Sequence, residues 1–143
     1  MKIIMLGCGK LGDYLVARLL NEGHQITVIS ETLDWEESGR DPRLQVVVGN
    51  PVDDDLLVGA GIAKAQAILC VTPDEHLNLM LAQIAKQVHH IPYALAEITD
   101  PKLEQFCLQN GISTVCPLQA AAERITALLA EVDPVGVKNS STG

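Results

Sequence analysis

The sequence predicts an α/β fold, a doubly wound parallel sheet of six strands with flanking helices. Three observations carry this. Short, near-continuous apolar runs rich in β-branched residues recur along the chain, as strands buried on both faces require. Segments with helical periodicity separate them, joined by short loops, the order that builds parallel crossovers. The first apolar run leads straight into a glycine-rich turn that opens a helix. The 143 residues suit one domain, at 1–132, followed by a polar tail at 133–143 expected to fray.

Taken in order, the expected strands are Lys2–Leu6, Gln25–Ser30, Leu44–Val48, 67–71, 93–98 and 114–116. The expected helices are Lys10–Asn21, 74–88, 101–110 and 117–132. Pro101 and Pro117 fall where a first helical turn tolerates a missing N–H. Asp100, and either Thr72 or Asp74, fit as N-caps. Gly23, Gly59 or Gly61, and Gly111 fit the left-handed residue that ends a helix. The polar stretch 35–43 has room for one helical turn at most, because Pro42 stops it.

Composition excludes several classes. Ten Lys and Arg face 18 Asp and Glu, for a formal charge of −8. That balance argues against nucleic acid and against direct binding to anionic lipid, both of which call for clustered cations. No apolar run approaches the ~20 residues of a membrane span. The chain starts directly on a strand, with no leader expected, which points to the cytoplasm. Cys8, Cys70, Cys107 and Cys116 are too far apart for a zinc site or a redox pair and read as small buried hydrophobes.

Gly7-Cys8-Gly9-Lys10-Leu11-Gly12 fits G-x-G-x-x-G between a strand and a helix, the Rossmann-like context that gives the pattern meaning. Gly7 makes the turn, Gly9 lets a pyrophosphate approach the backbone, and Gly12 lets the helix pack on the sheet. The helix N-terminus offers N–H groups to a phosphate, and Lys10 adds a charge. The ribose position at the end of the second strand holds Ser30, with Glu31 next. Glu31 would repel a 2′-phosphate, so NAD is favoured over NADP. Other strand ends add Gly49 and Asn50, Thr72 with Asn78 one helical turn on, and Glu97. Loop capping is the competing role for Asn50 and Thr72.

Catalysis has little to stand on. One nucleotide fold leaves no expected substrate domain, and neither Tyr14 nor Tyr93 is followed four residues on by Lys. Among the histidines, His24 follows a helix end and His89–His90 precede the fifth strand; only His76 falls near the ligand edge. The last helix carries Leu118, Ala122, Ile125, Leu129 and Val132 at three- or four-residue steps. That stripe packs either on its own sheet or on a second copy.

The ordered set of the glycine turn, Val47-Val48-Gly49-Asn50, Leu57, Ala60-Gly61-Ile62, Ala67 to Thr72, Asn78, Leu108, Gly111, Val115 and Pro117 resembles the TrkA-type RCK or KTN N-terminal domain of potassium-transport subunits. The resemblance implies a regulatory, non-catalytic domain that binds NAD(H) or ATP, ADP or AMP. It implies a homodimer or higher ring through the C-terminal helix, and a membrane potassium channel or transporter subunit as partner. Its place would be the inner face of the membrane, held there by that partner, whose basic cytoplasmic loops suit a chain of charge −8. The chain departs from the family pattern at Ser30 and Asn50, where Asp is usual, and at Glu97, where many members carry a base. These departures leave open a sensor of AMP or a cyclic nucleotide serving another transporter. A small NAD-dependent oxidoreductase is the remaining alternative.

Overall fold

The computed structural model describes residues 1–7, 9–32 and 41–132. The chain runs β1 (Lys2–Leu6), α1 (Lys10–Asn21), β2 (Gln25–Ser30), β3 (Leu44–Val48), α2 (Asp54–Gly59), a 3-10 turn (Ile62–Lys64), β4 (Ala67–Cys70), α3 (Glu75–Gln87), β5 (Tyr93–Glu97), a second 3-10 turn (Pro101–Leu103), α4 (Glu104–Gln109), β6 (Ser113–Val115) and α5 (Pro117–Ala130). All strand pairs are parallel, in the order β3-β2-β1-β4-β5-β6. The expected doubly wound sheet of six strands is therefore present. Its order reverses between β1 and β4, where such sheets open a crevice at their C-terminal edge.

The two faces of β1 separate the core. Ile4 and Leu6 join Ile29, Ile68 and Cys70 under α3 residues Leu81, Ala82 and Ala85. Met5 points the other way, with Ile26, Val28 and Leu44 against Val16 of α1. This is the period-two alternation of a strand covered on both sides.

Several boundaries differ from expectation for local reasons. The helix expected at 101–110 begins as a 3-10 turn, because Asp100 Oδ1 accepts the Lys102 N–H at 3.0 Å and tightens the start. The last strand lies one residue earlier than expected: Ser113 pairs with Leu95, and Cys116 becomes the N-cap of α5. Asp74, not Thr72, caps α3, its carboxylate accepting the His76 and Leu77 N–H groups at 3.0 and 3.2 Å. Helix α2, implied in the sequence only by the glycines after it, starts on the Asp53 carboxylate. The one turn considered within 35–43 and the tail 133–143 fall largely or wholly outside the described residues.

Cys70 and Cys107 are buried, as expected of core cysteines, and burial pushes the Cys70 thiol strongly up. Cys116 is half-buried, and Cys8 lies outside the described residues. The final helix does not pack on its own sheet: none of its residues is buried, and Ile125 and Leu129 are 57% and 64% exposed. No helix among the described residues is long and apolar enough to cross a membrane.

Candidate functional site

A cleft of about 480 Å³ opens over the C-terminal edge of the sheet, between the ends of β1, β2 and β4. Its walls include Gly7, Ser30, Glu31, Thr32, Thr72 and Asp74. Gly7 turns the chain out of β1 at φ +96°, donating its N–H to Ile29 O at 3.0 Å. A Cβ on Gly7 would lie 2.8 Å from Thr72 Cα, a backbone atom that cannot swing aside. Only glycine fits there, and the turn is locked against the loop between β4 and α3.

Gly9 is special for the opposite reason. It sits at φ +154°, and a Cβ built on it would meet nothing within 4 Å among the described residues. The space above it is open, the cradle that a backbone-hugging phosphate needs and a side chain would fill. Gly9 is also the N-cap of α1, and among the described residues no side chain caps this end. The first N–H groups of a 12-residue helix therefore have no side-chain partners among the described residues, at the positive end of its dipole. Lys10 is exposed at the first helical position. Leu11 packs against the core around Met5 and Val28, so its side chain is turned away from the turn's open face. Gly12 is buried, but a Cβ there would meet Met5 Cε at an ordinary 3.5 Å. The packing therefore tolerates one methyl at position 12.

Across the cleft, Thr72 and Asn78 form a closed set of hydrogen bonds. Asn78 is 1% exposed. Its Oδ1 accepts the Thr72 N–H at 2.9 Å and the Thr72 hydroxyl at 2.7 Å. Its Nδ2 donates to Thr72 O at 3.0 Å and to Glu97 O at 2.9 Å. An amide has two acceptor sites and two donor hydrogens, so the protein fills all four. The Thr72 hydroxyl in turn accepts the Asp74 N–H at 3.2 Å. Asn78 thus braces α3 against the ends of β4 and β5, and its polar atoms face protein.

The remaining expected residues fall at different distances from the cleft. Ser30 is buried in its wall, its Oγ accepting the Thr32 N–H at 3.2 Å, and Glu31 is exposed at the rim. Gly49 donates its N–H to Ser30 O at 2.9 Å, and Asn50 Oδ1 accepts the Val52 N–H at 3.0 Å, so Asn50 makes the loop-capping turn. Neither lines the cleft, but Pro51 beside them does. Glu97 is absent from the lining too: it ends β5, one strand beyond β4, and partial burial raises its carboxyl above the usual range. Cys8 lies outside the described residues.

Sequence reasoning missed Ile29, Thr32 and Leu77 in the lining. It also missed Glu75, whose Oε1 accepts the Thr99 and Asp100 N–H groups at 2.7 and 3.1 Å and fixes the loop after β5. The only available signal was an acid in a first helical turn, which occurs for many reasons. Among the described residues no Lys or Arg lines the cleft, and no cluster of His, Cys, Asp or Glu could hold a metal. A phosphate placed here would meet backbone N–H groups and the helix dipole, with Lys10 the cation of the turn.

The sequence model of the TrkA-N domain matches residues 3–117, and the chain belongs to that family. It is 29% identical over 126 residues to the Trk system potassium uptake protein TrkA of Streptomyces coelicolor, covering 87% of this chain and 56% of that protein. The chain thus spans about half the length of that relative. The TrkA-N domain of the inner membrane protein ybaL from Escherichia coli superposes with a TM-score of 0.79 at 17% identity, covering 90% of this chain and 96% of that one. The GsuK structure bound to ADP gives 0.75 at 22% identity, covering 90% of this chain and 33% of that one.

Proposed function

We propose that this TrkA-N domain is the nucleotide-sensing part of a potassium-transport system and not a catalyst. The observation that carries the reading is the open face of Gly9 beside the uncapped N-terminus of α1. That pairing suits a phosphate held by backbone, with the adenosine lying over the ends of β1 and β2. Ser30 and Glu31 would meet its ribose, and the rim carboxylate of Glu31 disfavours a 2′-phosphate. The cofactor is an adenine nucleotide, NAD(H) or ATP, ADP or AMP. Solved neighbours support that breadth, since GsuK carries NAD in one structure and ADP in another, and a Kef C-terminal domain from Shewanella denitrificans carries AMP.

The exposed stripe of α5 supports a homodimer, with a membrane potassium channel or transporter as the further partner on the cytoplasmic side. A second open surface supports the same pairing. On the α1 side of the sheet Leu69 and Leu95 are only half-buried, and Tyr93 at that edge is 44% exposed. Two nucleotides that favour different dimer geometries would shift the population between them and so gate the partner.

Calorimetry of the full chain with NAD, NADH, ATP, ADP and AMP tests the site. Saturable binding of at least one, lost in Gly9→Val, is the expected result. No binding to any of them overturns the site, and NADH oxidation with a substrate pool overturns the non-catalytic reading. A second reading, a sensor of AMP alone, is favoured by Ser30 in the ribose position. It is selected if Ser30→Asp gains NAD affinity that the natural chain lacks.

A further inference from the structure

The opposite edge of the sheet holds a second cleft, of about 320 Å³, under the N-terminal halves of β1, β2 and β3. It arises from a mismatch of lengths. Helix α2 has only six residues, about 9 Å of cover, and shields the upper part of this face. The register shows the consequence row by row. Leu6, Ile29 and Val47 form an apolar row beneath Leu56 and Leu57, but the next row down is Ile4, Thr27 and Gln45, and below it Lys2 pairs with Gln25. The sheet face changes from apolar to polar where the helix stops. The wall is the α2 end and the turn after it, through Gly61, Lys64 and Ala65.

The chemistry of this cleft differs from the rest of a chain of charge −8. Lys2, Lys64 and Arg43 line it, and among the described residues no Asp or Glu does. Arg43 is held at the edge by Asp41, at 2.8 Å, and by Leu20 O, also at 2.8 Å. The ammonium groups of Lys2 and Lys64 have no carboxylate within 4 Å among the described residues. The side chains of Gln25, Thr27 and Gln45 have no hydrogen-bond partner among them either. The floor therefore offers three uncommitted polar groups between two uncommitted cations.

We propose that this cleft is a second ligand site, for a small multiply charged oxyanion such as a phosphorylated or polycarboxylate metabolite. The lysines supply charge-assisted hydrogen bonds, and the Thr27 hydroxyl and glutamine amides supply neutral ones to the body of the ligand. It lies across the sheet from the glycine turn, shares no residue with the first cleft, and does not depend on how that cleft is read.

Calorimetry of the full chain with inorganic pyrophosphate and with citrate, at fixed ionic strength, tests it. At least one probe is expected to bind saturably, one per chain, at about millimolar Kd or tighter. Stronger pyrophosphate binding marks a phosphate ligand, and stronger citrate binding a carboxylate. Combined Lys2→Gln and Lys64→Gln should weaken binding about tenfold or more, and Thr27→Val should weaken it measurably. Gly9→Val should leave it unchanged. Absence of saturable binding overturns the site. So does affinity that survives the lysine changes or Thr27→Val, since the contact is then diffuse counterion attraction. Loss of binding in Gly9→Val assigns the anion to the glycine turn and also overturns it.

Discussion

The hydroxyl of Thr72 lies 2.7 Å from Oδ1 of Asn78, and the other half of the same amide reaches the carbonyl of Glu97 at 2.9 Å. One buried side chain thus ties the ends of two strands to the helix between them. Asn78→Ala leaves the Thr72 N–H, Thr72 O and Glu97 O short of partners in a buried place. The expected loss is about 2–4 kcal/mol of unfolding free energy, read by urea denaturation. Nucleotide affinity should fall as well, because the Thr72 loop forms the far wall of the cleft. Unchanged stability in Asn78→Ala would show that water replaces the amide and that the brace is dispensable.

The two glycines of the turn should separate cleanly. Gly7→Ala drives a methyl onto the Thr72 backbone and is expected to cost about 3 kcal/mol or more, or to prevent folding. Gly9→Ala places its methyl in open space, and its unfavourable φ is expected to cost only about 1–2 kcal/mol. Thermal melts of the two variants side by side provide the measurement. Equal losses would contradict the different surroundings of the two positions.

Helix α5 should control association. Ile125→Glu places a charge in the exposed stripe without touching the monomer core, so the melt of the monomer should hardly move. Light scattering behind size exclusion should show a shift from dimer to monomer, since burying one such side chain contributes about 1.5–3 kcal/mol in each copy. A natural chain that is already monomeric at high concentration would remove the dimer from the proposed function.

Glu97 gives a pH signature. Partial burial raises its carboxyl in the folded chain above the ordinary value of 4.5. A group shifted upward favours the folded state at low pH, where it is protonated in both states. That advantage is lost as pH rises from the unfolded value through the folded one. Glu97→Gln should therefore be slightly more stable than the natural chain at pH 7 and equal to it near pH 3. The comparison needs urea midpoints at both pH values, and a variant less stable at pH 7 would mean that the carboxylate has a stabilising partner.

The repeating pattern was legible because it is local. Three strands and the first helix begin and end where apolar runs, caps and prolines place them, since each boundary depends on residues within one turn of it. The glycine turn was legible for the same reason, although its three glycines proved unequal. Gly7 is fixed by Thr72, 65 positions away, Gly9 by open space, and Gly12 admits a methyl. No spacing rule separates those cases.

Asn78 and Glu97 mark where local reasoning ended. The sequence placed both at the C-terminal edge of the sheet, where their elements indeed end or begin. Whether a polar atom faces a ligand or a neighbouring carbonyl depends on what the fold brings alongside, and Glu97 O reaches Asn78 from 19 residues on. The same holds for α5, whose stripe fits its own sheet or another copy equally well on periodicity; only its course away from the core decides. The sequence by itself determined the layers, the strand edges and the glycine turn, because hydrophobic period and glycine conformational freedom act over a few residues. The tertiary structure alone decided which polar groups are committed and which surfaces stay open, because hydrogen-bond satisfaction and burial belong to pairs of elements distant in the chain.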